Sequence, residues 1–383
     1  MSRSSLAPEA HDAATGLYDV KRLASLLGVS SGAIRTMRSR GKLPEPTSGN
    51  INGGAVWAKE IIDSFTSQIG GFESGVAPNP RLPKIVDLFS GCGGMSLGFQ
   101  TARFHVLAGY DNWPAAINTY NINNLGHEAE TLDLADVGAT IDKLEHHRNS
   151  DGSFPAIIGG PPCQDFSSAG KRVEGDRADL TEKYASVVSY FKPPFFVMEN
   201  VARAGGAGAY QRALEQMEKA GYTITKKVIN SAFCGVPQVR KRLIAFGSID
   251  PGMPSHVLNY WNSGMSSSPM TIREWFGDID TKYYYRHPRS YARRAIFSVD
   301  EPSPTIRGVN RPIPSGYLGH AGDAGPVGEA RPLTTFERAR IQTFPEGFKF
   351  SGSKTDTEQM IGNAVPVRLG KFIADSIASA YGV

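Results

Sequence analysis

The stretch GGPPCQDFSSAG, residues 159–170, carries one thiol, Cys163, in a setting that suits chemistry. Two prolines ahead of it stiffen the chain, and two glycines ahead of those clear space around it. A rigid loop that holds one sulfur at the edge of a sheet fits a nucleophile. A buried structural cysteine is the plain alternative. A zinc deaminase, whose signature includes P-C-x-x-C, is excluded: Phe166 stands where the second cysteine would be, and no H-x-E precedes it. Further along, Glu199, Asn200 and Val201 close the apolar run FFVMENV. A glutamate there should be partly desolvated, which favours its protonated, hydrogen-bond-donating form, unless it is only a solvated strand cap. The run of Gln238, Arg240, Lys241 and Arg242 offers donors for phosphate and base oxygens, unless it is solvated surface.

A second group of residues suits ligand binding. DLFSGCGGMSLGF (87–99) sets Gly91, Gly93 and Gly94 directly after an apolar run, where bare backbone amides can approach a ligand at a helix start. A tight strand–helix turn would look the same. Asp111 closes the next apolar run, placed to accept hydrogen bonds from two ribose hydroxyls. Asp133 stands where a third strand should end, within reach of an adenine amino group. The loop has no phosphate-binding lysine, so a nucleoside-type ligand fits better than ATP.

The elements that must hold these residues follow from periodicity. KIVDLFSG, HVLAGYD, PAIIGGPP, FFVMENV and RLIAFGS are short apolar runs separated by helix-like stretches. Strands alternating with helices predict a parallel sheet with helices on both faces, and ligands in such sheets sit at the carboxyl ends of strands. Before that sheet, residues 1–16 are small and polar, and read as a disordered tail. Residues 17–70 read as a helical module. Val20, Leu23, Leu26 and Leu27 recur at helical spacing; a short turn follows, then a second helix with Ile34 and Met37 inward and Arg35, Arg38 and Arg40 outward. A Gly-rich hairpin and a further amphipathic helix complete it. This is helix-turn-helix spacing, though helical hairpins without a DNA role share it. Residues 71–83 form a Gly/Pro-rich linker.

The three cysteines, Cys92, Cys163 and Cys234, are never in a C-x-x-C pair, which argues against a disulfide scaffold or zinc ribbon. No segment is apolar for long enough to cross a membrane, and the N-terminus lacks the features of a signal peptide. The formal net charge of +4 permits nucleic-acid binding without demonstrating it.

Taken together and in order, DLFSGCGG, GGPPCQDFS, ENV, QVRKR, RPLTTFERARIQTFP (331–345) and GNAVP (362–366) resemble the DNA (cytosine-5) methyltransferases over about residues 84–383. The set is highly specific. The resemblance implies an α/β fold: a Rossmann-like S-adenosylmethionine-dependent methyltransferase domain at 84–250 and 326–383, and a small target-recognition domain at 251–325. The N-terminal module resembles the winged helix-turn-helix of MerR and excisionase type. The family pattern assigns thiol attack on carbon 6 of cytosine to Cys163 and recognition and protonation of N3 to Glu199, with Arg240 and Arg242 holding the base and ordering the catalytic loop. Phe89, Ser90, Gly91, Gly93, Gly94, Asp111, Asn112, Asp133, Leu134, Pro161, Asn363 and Val365 would surround the cofactor. The second strand of the family usually ends in Glu; Asp111, Asn112 and Trp113 depart from this, leaving the adenine-stacking residue open. No metal is implied. A base inside a duplex cannot present carbon 6 to a thiol, so the target must flip out.

Between QVRKR and the R-x-L-T motif the family reads its target. Here KYYYRHPRSYARR (282–294) interleaves tyrosines with arginines, and SPTIRGVNRP follows at 303–312. Gln164, Ser167, Gln238, Arg286, Arg289, Thr305 and Arg307 are the expected DNA contacts in the methyltransferase portion, with Arg35 and Arg38 in the N-terminal module. The expected partner is double-stranded DNA carrying a short recognition sequence, within a restriction–modification system, acted on by a monomer in a prokaryotic cytoplasm, at the nucleoid. The N-terminal module would bind promoter DNA as an autogenous regulator, or anchor the enzyme near its targets. The rival readings are an orphan DNA methyltransferase, an RNA cytosine-5 methyltransferase of the same fold and a DNA-binding regulator with a decayed enzyme domain. Intact Cys163, Glu199, Arg242 and glycine loop favour the enzyme.

Overall fold

Asp19 starts the first helix: its carboxylate accepts the Arg22 backbone N–H at 2.7 Å, satisfying a donor that a helix N-terminus otherwise leaves unpaired. The computed structural model describes residues 17–27, 31–39, 43–51, 54–62, 77–123, 125–162, 179–288, 290 and 292–383. These residues fall into two compact units, one N-terminal together with Pro345–Lys349, the other comprising the remainder.

The N-terminal unit runs β1 (Leu17–Asp19), α1 (Val20–Leu27), α2 (Ser31–Ser39), β2 (Ser48–Ile51) and β3 (Gly54–Ala58). Its strands pair antiparallel in the order β1-β3-β2. Leu23 and Ile34 from the two helices meet Leu43, Ala55, Trp57 and Ile62 in a small core, with Val20 packed against it. The Trp57 indole donates to the Pro44 carbonyl at 2.8 Å, so a large apolar ring is buried without stranding its N–H. Arg35 and Arg38 lie on the exposed side of α2.

The larger unit is built on a seven-stranded sheet. In chain order its elements are β4 (Ile85–Leu88), α3 (Gly94–Thr101), β5 (Val106–Asp111), α4 (Pro114–Ile122), β6 (Glu128–Thr131), α5 (Val137–Leu144), β7 (Ala156–Gly159), α6 (Asp179–Phe191), β8 (Phe195–Val201), α7 (Gly208–Lys219), β9 (Thr223–Asn230), β10 (Gln238–Val239) and β11 (Lys241–Ser248). The strand order is β6-β5-β4-β7-β8-β11-β9. Five strands run parallel, as their βα connections require. The sheet is not wholly parallel as expected, because β11 runs antiparallel to both β8 and β9. An apolar run carries no direction, and β9 escaped notice because Lys226 and Lys227 interrupt it.

Side chains alternate across the strands, and both faces are covered. Ile85, Ile158, Phe195, Val197, Ile244 and Phe246 face one core, closed by Phe99, Val257, Trp261, Leu369 and Ile373. Val86, Ile157, Phe196, Met198, Leu243 and Ala245 face the other, closed by Leu144, Tyr184, Val188, Tyr210 and Leu214. Each such side chain stabilises the fold by about 1.5–3 kcal/mol when fully buried, which is why the runs are continuous rather than alternating.

After the sheet come α8 (Met253–Ser263), α9 (Ile272–Phe276), β12 (Tyr283–Tyr285), β13 (Ile296–Ser298), β14 (Ser303–Pro304), β15 (Ala330–Pro332), α10 (Thr335–Ile341), α11 (Lys354–Asn363) and α12 (Val367–Ala380). A small sheet has the order β13-β12-β15, and β14 pairs with β10. Two features cut across the boundaries expected at 251 and 325. Helix α8 belongs to the large sheet's core through Val257 and Trp261, whose indole donates to the Ser376 hydroxyl at 2.9 Å. Strand β15 belongs to the small sheet, paired with β12.

Candidate active site

Four strand ends on the same side of the large sheet carry the residues singled out by sequence. The chain leaves β4 with two positive φ angles, Phe89 at 58° and Gly91 at 54°, and Gly93 is left-handed at 92° before α3 begins. Glycine is required at two places for reasons of space. A Cβ on Gly93 would stand 2.9 Å from the Tyr120 ring, and one on Gly94 would stand 2.3 Å from the Val365 carbonyl oxygen. That close approach brings the GNAVP segment onto the glycine loop.

Asp111 ends β5 beneath the same loop. Its carboxylate accepts the Gly91 N–H and the Trp113 N–H, each at 2.9 Å. Burial raises its pKa above the ordinary carboxylate value, and the backbone N–H groups oppose that. A carboxylate has acceptor capacity beyond these bonds. Asn112 is exposed next to it. Strand β6 stops at Thr131, two residues short of Asp133; Asp133 lies in an exposed turn, accepting the Ala135 N–H at 3.1 Å, while Leu134 turns into the core. Ser90 is buried, its amide donating to the Tyr110 carbonyl at 3.0 Å.

Glu199, at the end of β8, is 9% exposed. Its Oε1 receives the Arg242 Nε at 2.6 Å from the neighbouring strand β11. Sequence reasoning expected a desolvated acid; the structure gives that acid a half-buried cationic partner as well. The other carboxylate oxygen, Oε2, lies against Gly160, where a Cβ would come within 3.3 Å of it. Asn200 turns to the same loop, its side-chain amide donating to the Pro161 carbonyl at 3.2 Å. Glu199 and Asn200 therefore brace the chain two to three residues before Cys163. Cys163 itself, with Gln164, Ser167 and Arg289, lies outside the described residues.

The basic run is not the solvated donor patch read from composition. It is strand, and a strand divides its residues by parity. Val239 and Lys241 are exposed, whereas Gln238 and Arg240 are buried. The Gln238 side chain accepts the Ile306 N–H at 2.8 Å and donates to Gln342 at 2.7 Å, so the residue expected to touch DNA is fully committed to the interior. Arg240, expected beside the reacting base, spans two segments instead: it donates to the Ile306 carbonyl at 3.2 Å and to the Asn363 carbonyl at 3.3 Å. Burial, then the Arg242 charge, holds its pKa well below the usual guanidinium value, against the pull of Glu199. Of the basic residues, Arg242 alone reaches the candidate catalytic carboxylate.

Arg286, Thr305 and Arg307 come together. Arg286 donates to the Thr305 carbonyl at 2.8 Å, Arg307 to the His287 carbonyl at 3.0 Å, and the Thr305 hydroxyl to the Val239 carbonyl at 2.8 Å. Sequence reasoning missed what anchors this loop from below. Arg338 donates to the Arg307 carbonyl and pairs with Glu358; both are 3% exposed. Glu358 also accepts the Thr335 hydroxyl at 2.7 Å. It missed Asp87 too, fully buried under the glycine loop with Ser96 donating to it at 2.6 Å. An acid inside the apolar run KIVDLF was the available signal.

Comparison with known proteins agrees with this geometry. The family profile described as C-5 cytosine-specific DNA methylase matches residues 83–379. The Type II methyltransferase M.HgiDI of Herpetosiphon aurantiacus is 52% identical over 296 residues, covering 77% of this chain and 94% of the relative. M.HindV of Haemophilus influenzae is 48% identical over 298 residues, covering 77% and 96%. Among solved structures, the Entamoeba histolytica methyltransferase EhMeth aligns with a TM-score of 0.57 at 15% identity, over 78% of this chain and 98% of that one. The S. pombe Dnmt2 methyltransferase aligns at 0.53 and 16%, over 78% and 98%. These two likenesses show the fold alone.

Proposed function

Because this chain belongs to the C-5 cytosine-specific DNA methylases, we propose that its methyl transfer to carbon 5 of cytosine runs on Cys163, with Glu199 as the base-binding acid and Arg242 as its positioning partner. The chain is a DNA (cytosine-5) methyltransferase, and its relatives are Type II enzymes; we assign it to a restriction–modification context. The observation that carries the residue assignment is the Glu199 carboxylate, clamped by Arg242 at 2.6 Å and set against Gly160, three residues before the thiol.

S-adenosylmethionine is the cofactor of C5 methyltransferases generally, and the residues present fit it. The space beside Gly91 is open, with no heavy atom within 4 Å of an added Cβ, and Asp111 beneath it has acceptor capacity to spare. Phe89, Ser90, Gly93, Gly94, Asn112, Asp133, Leu134, Pro161, Asn363 and Val365 would complete its surroundings. Bound there, it supplies the methyl group.

The protein's own part begins with the flipped cytosine. The Cys163 thiolate adds to carbon 6, forming a carbon–sulfur bond and moving the electron pair of the 5,6 double bond to carbon 5. Glu199 hydrogen-bonds N3 and stabilises the charge that develops on the ring. Arg242 holds the carboxylate in one orientation, so no reorganisation is needed at that moment. After carbon 5 is methylated, a water molecule takes its proton; the electron pair of that carbon–hydrogen bond restores the 5,6 double bond and expels the thiolate.

In the N-terminal unit, Ile34 buried and Arg35 and Arg38 exposed on α2 support a winged helix-turn-helix that binds DNA. Deleting residues 1–75 and measuring promoter binding and methylation separately distinguishes an autogenous regulator from an anchor.

Bisulfite sequencing of DNA from cells expressing the full chain is expected to show one short methylated sequence; unmethylated DNA would overturn the reading. A duplex with 5-fluorocytosine at that site should become covalently trapped on the wild-type protein and not on Cys163→Ala. Glu199→Gln should keep its place beside Arg242 yet slow single-turnover methylation about 10²–10⁴-fold, the usual size of a lost general-acid contribution. An undiminished rate would remove Glu199 from the mechanism.

A further inference from the structure

One loop of the recognition region is built to hold a single apolar side chain out in solvent. Leu318 is 94% exposed, whereas its neighbour Tyr317 is 8% exposed. A lone exposed leucine needs no explanation in general. This one differs in how its loop is held. Asp323 fixes both flanks of the apex at once: its Oδ2 accepts the Tyr317 hydroxyl at 2.7 Å and the His320 N–H at 2.8 Å, and its Oδ1 accepts the N–H groups of Ala295 and Ile296 at 2.8 and 2.9 Å. The Tyr317 amide donates to the Pro314 carbonyl at 3.0 Å and the Asp323 amide to the His320 carbonyl at 2.9 Å. The apex is therefore anchored to the small sheet through side chain and backbone alike.

Of the residues flanking Leu318, Tyr317 turns inward and Gly316 and Gly319 have no side chain. Gly319 has φ +97°, and Gly316 has no heavy atom within 4 Å of where a Cβ would stand. The isobutyl group of Leu318 is therefore the most exposed large apolar group of the apex. The base of the loop leads directly to the cluster expected to meet DNA. The Tyr317 ring packs edge-on against Tyr285 at 5.8 Å, the Tyr285 hydroxyl bonds the His287 ring at 3.1 Å, and Arg307 donates to the His287 carbonyl at 3.0 Å. Arg311 lies on the same loop, three residues before Pro314. Burial, and then the charges of Arg311 and Arg307, lower the His287 pKa.

An apolar tip on a braced loop beside fixed positive charge is the combination by which proteins insert a wedge between base steps while holding the backbone through phosphates. Resting on the reading of this chain as a DNA methyltransferase, we propose that Leu318 is such a wedge: it enters the base stack of the recognition sequence at a step other than the target cytosine and fixes the register in which the duplex is held.

The test uses the full-length protein and a duplex carrying the site found by bisulfite sequencing, with 2-aminopurine placed in turn at each position other than the target cytosine. Wild type and Leu318→Met should brighten one position; Leu318→Ala should not. In Leu318→Ala, kcat/KM for DNA should fall at least tenfold, with KM for S-adenosylmethionine and Tm unchanged, since the side chain supports nothing in the fold. Unchanged kcat/KM overturns the proposal. So does a fall in kcat/KM with the 2-aminopurine signal intact, which would make Leu318 a groove contact, and so does a fall in Tm, which would make it structural. Were the wild type to methylate no DNA at all, the underlying assignment of function would fall instead.

Discussion

The large sheet buries both of its faces in side chains drawn from six of its strands and the helices over them, and at the strand ends that carry the candidate site Glu199 and Arg242 pair one to one. The small sheet has three strands of three residues each and a core of Tyr285, Ala295, Ile296 and Tyr317. Apolar area of that size orders little chain by itself. Its place is taken by polar hubs. Asp323 gathers four hydrogen bonds inside the module, and the Arg338–Glu358 pair holds the Thr305–Asn310 loop from the catalytic side. In the small module, hubs made of one or two side chains thus do the ordering that burial does in the large sheet.

This contrast predicts where single substitutions cost most. Glu358→Ala removes the partner of a buried guanidinium that also holds the Arg307 carbonyl. Burial and the Arg307 charge already push the Arg338 pKa down to about 10, so the charge has nowhere favourable to go. Breaking a buried pair from one side costs about 3–5 kcal/mol. Denaturant unfolding should show a loss of that size, together with a raised KM for DNA. A loss below about 1 kcal/mol would mean that the pair is not what carries the loop.

Asp323→Ala acts on the small module alone. Its partners are the N–H groups of Ala295, Ile296 and His320 and the Tyr317 hydroxyl, and the site is only partly buried, so water replaces some of what is lost. About 2 kcal/mol of local stability is expected, from net hydrogen-bond values of about 0.5–1.5 kcal/mol each, discounted for solvent. Limited proteolysis should then cut within residues 311–325 while the global Tm hardly moves. A Tm drop as large as that of Glu358→Ala would erase the distinction between scaffold and module.

The same contrast governs what the sequence disclosed. Strands β4, β5, β7, β8 and β11 are legible because two-sided burial forces an unbroken apolar run, and the glycine loop is legible because close backbone contacts tolerate only Gly93 and Gly94. The direction of β11 was not, since direction is set by the chain reversal from β9 through residues 231–240 rather than by composition. Gln238, Arg240 and Arg242 were legible as residue types and not in their setting: at and between β10 and β11, Gln238 and Arg240 are buried and Arg242 is half-buried. Helix α8 hides because its buried residues, Met253, Pro254, Val257 and Trp261, are interspersed with Ser255, His256, Asn259 and Asn262. The hubs are the least legible, because Glu358 and Arg338, and Asp323 in its bonds to Ala295 and Ile296, acquire meaning from partners far along the chain.

Asp87 tests the scaffold side of the comparison, through pH. It sits fully buried in β4, Ser96 donates to one of its oxygens, and the other has no hydrogen-bond partner among the described residues. Burial pushes its carboxyl up to about 7, against the Ser96 bond, from an ordinary value of 3.8. Between those two values the unfolded chain releases a proton that the folded chain keeps. Stability from this group is therefore complete below pH 3.8, declines through the interval and is fully lost above pH 7. The decline is at most about 1.4 kcal/mol per pH unit. Asn in its place still accepts the Ser96 hydroxyl and cannot titrate. The stability of Asp87→Asn relative to wild type should therefore rise steadily from pH 4 to 7 and level off beyond it, with the contributions of all other groups cancelling in the difference. Parallel curves across that range would show that the acid is already ionised in the folded chain, and that the floor of the glycine loop tolerates a fully buried charge.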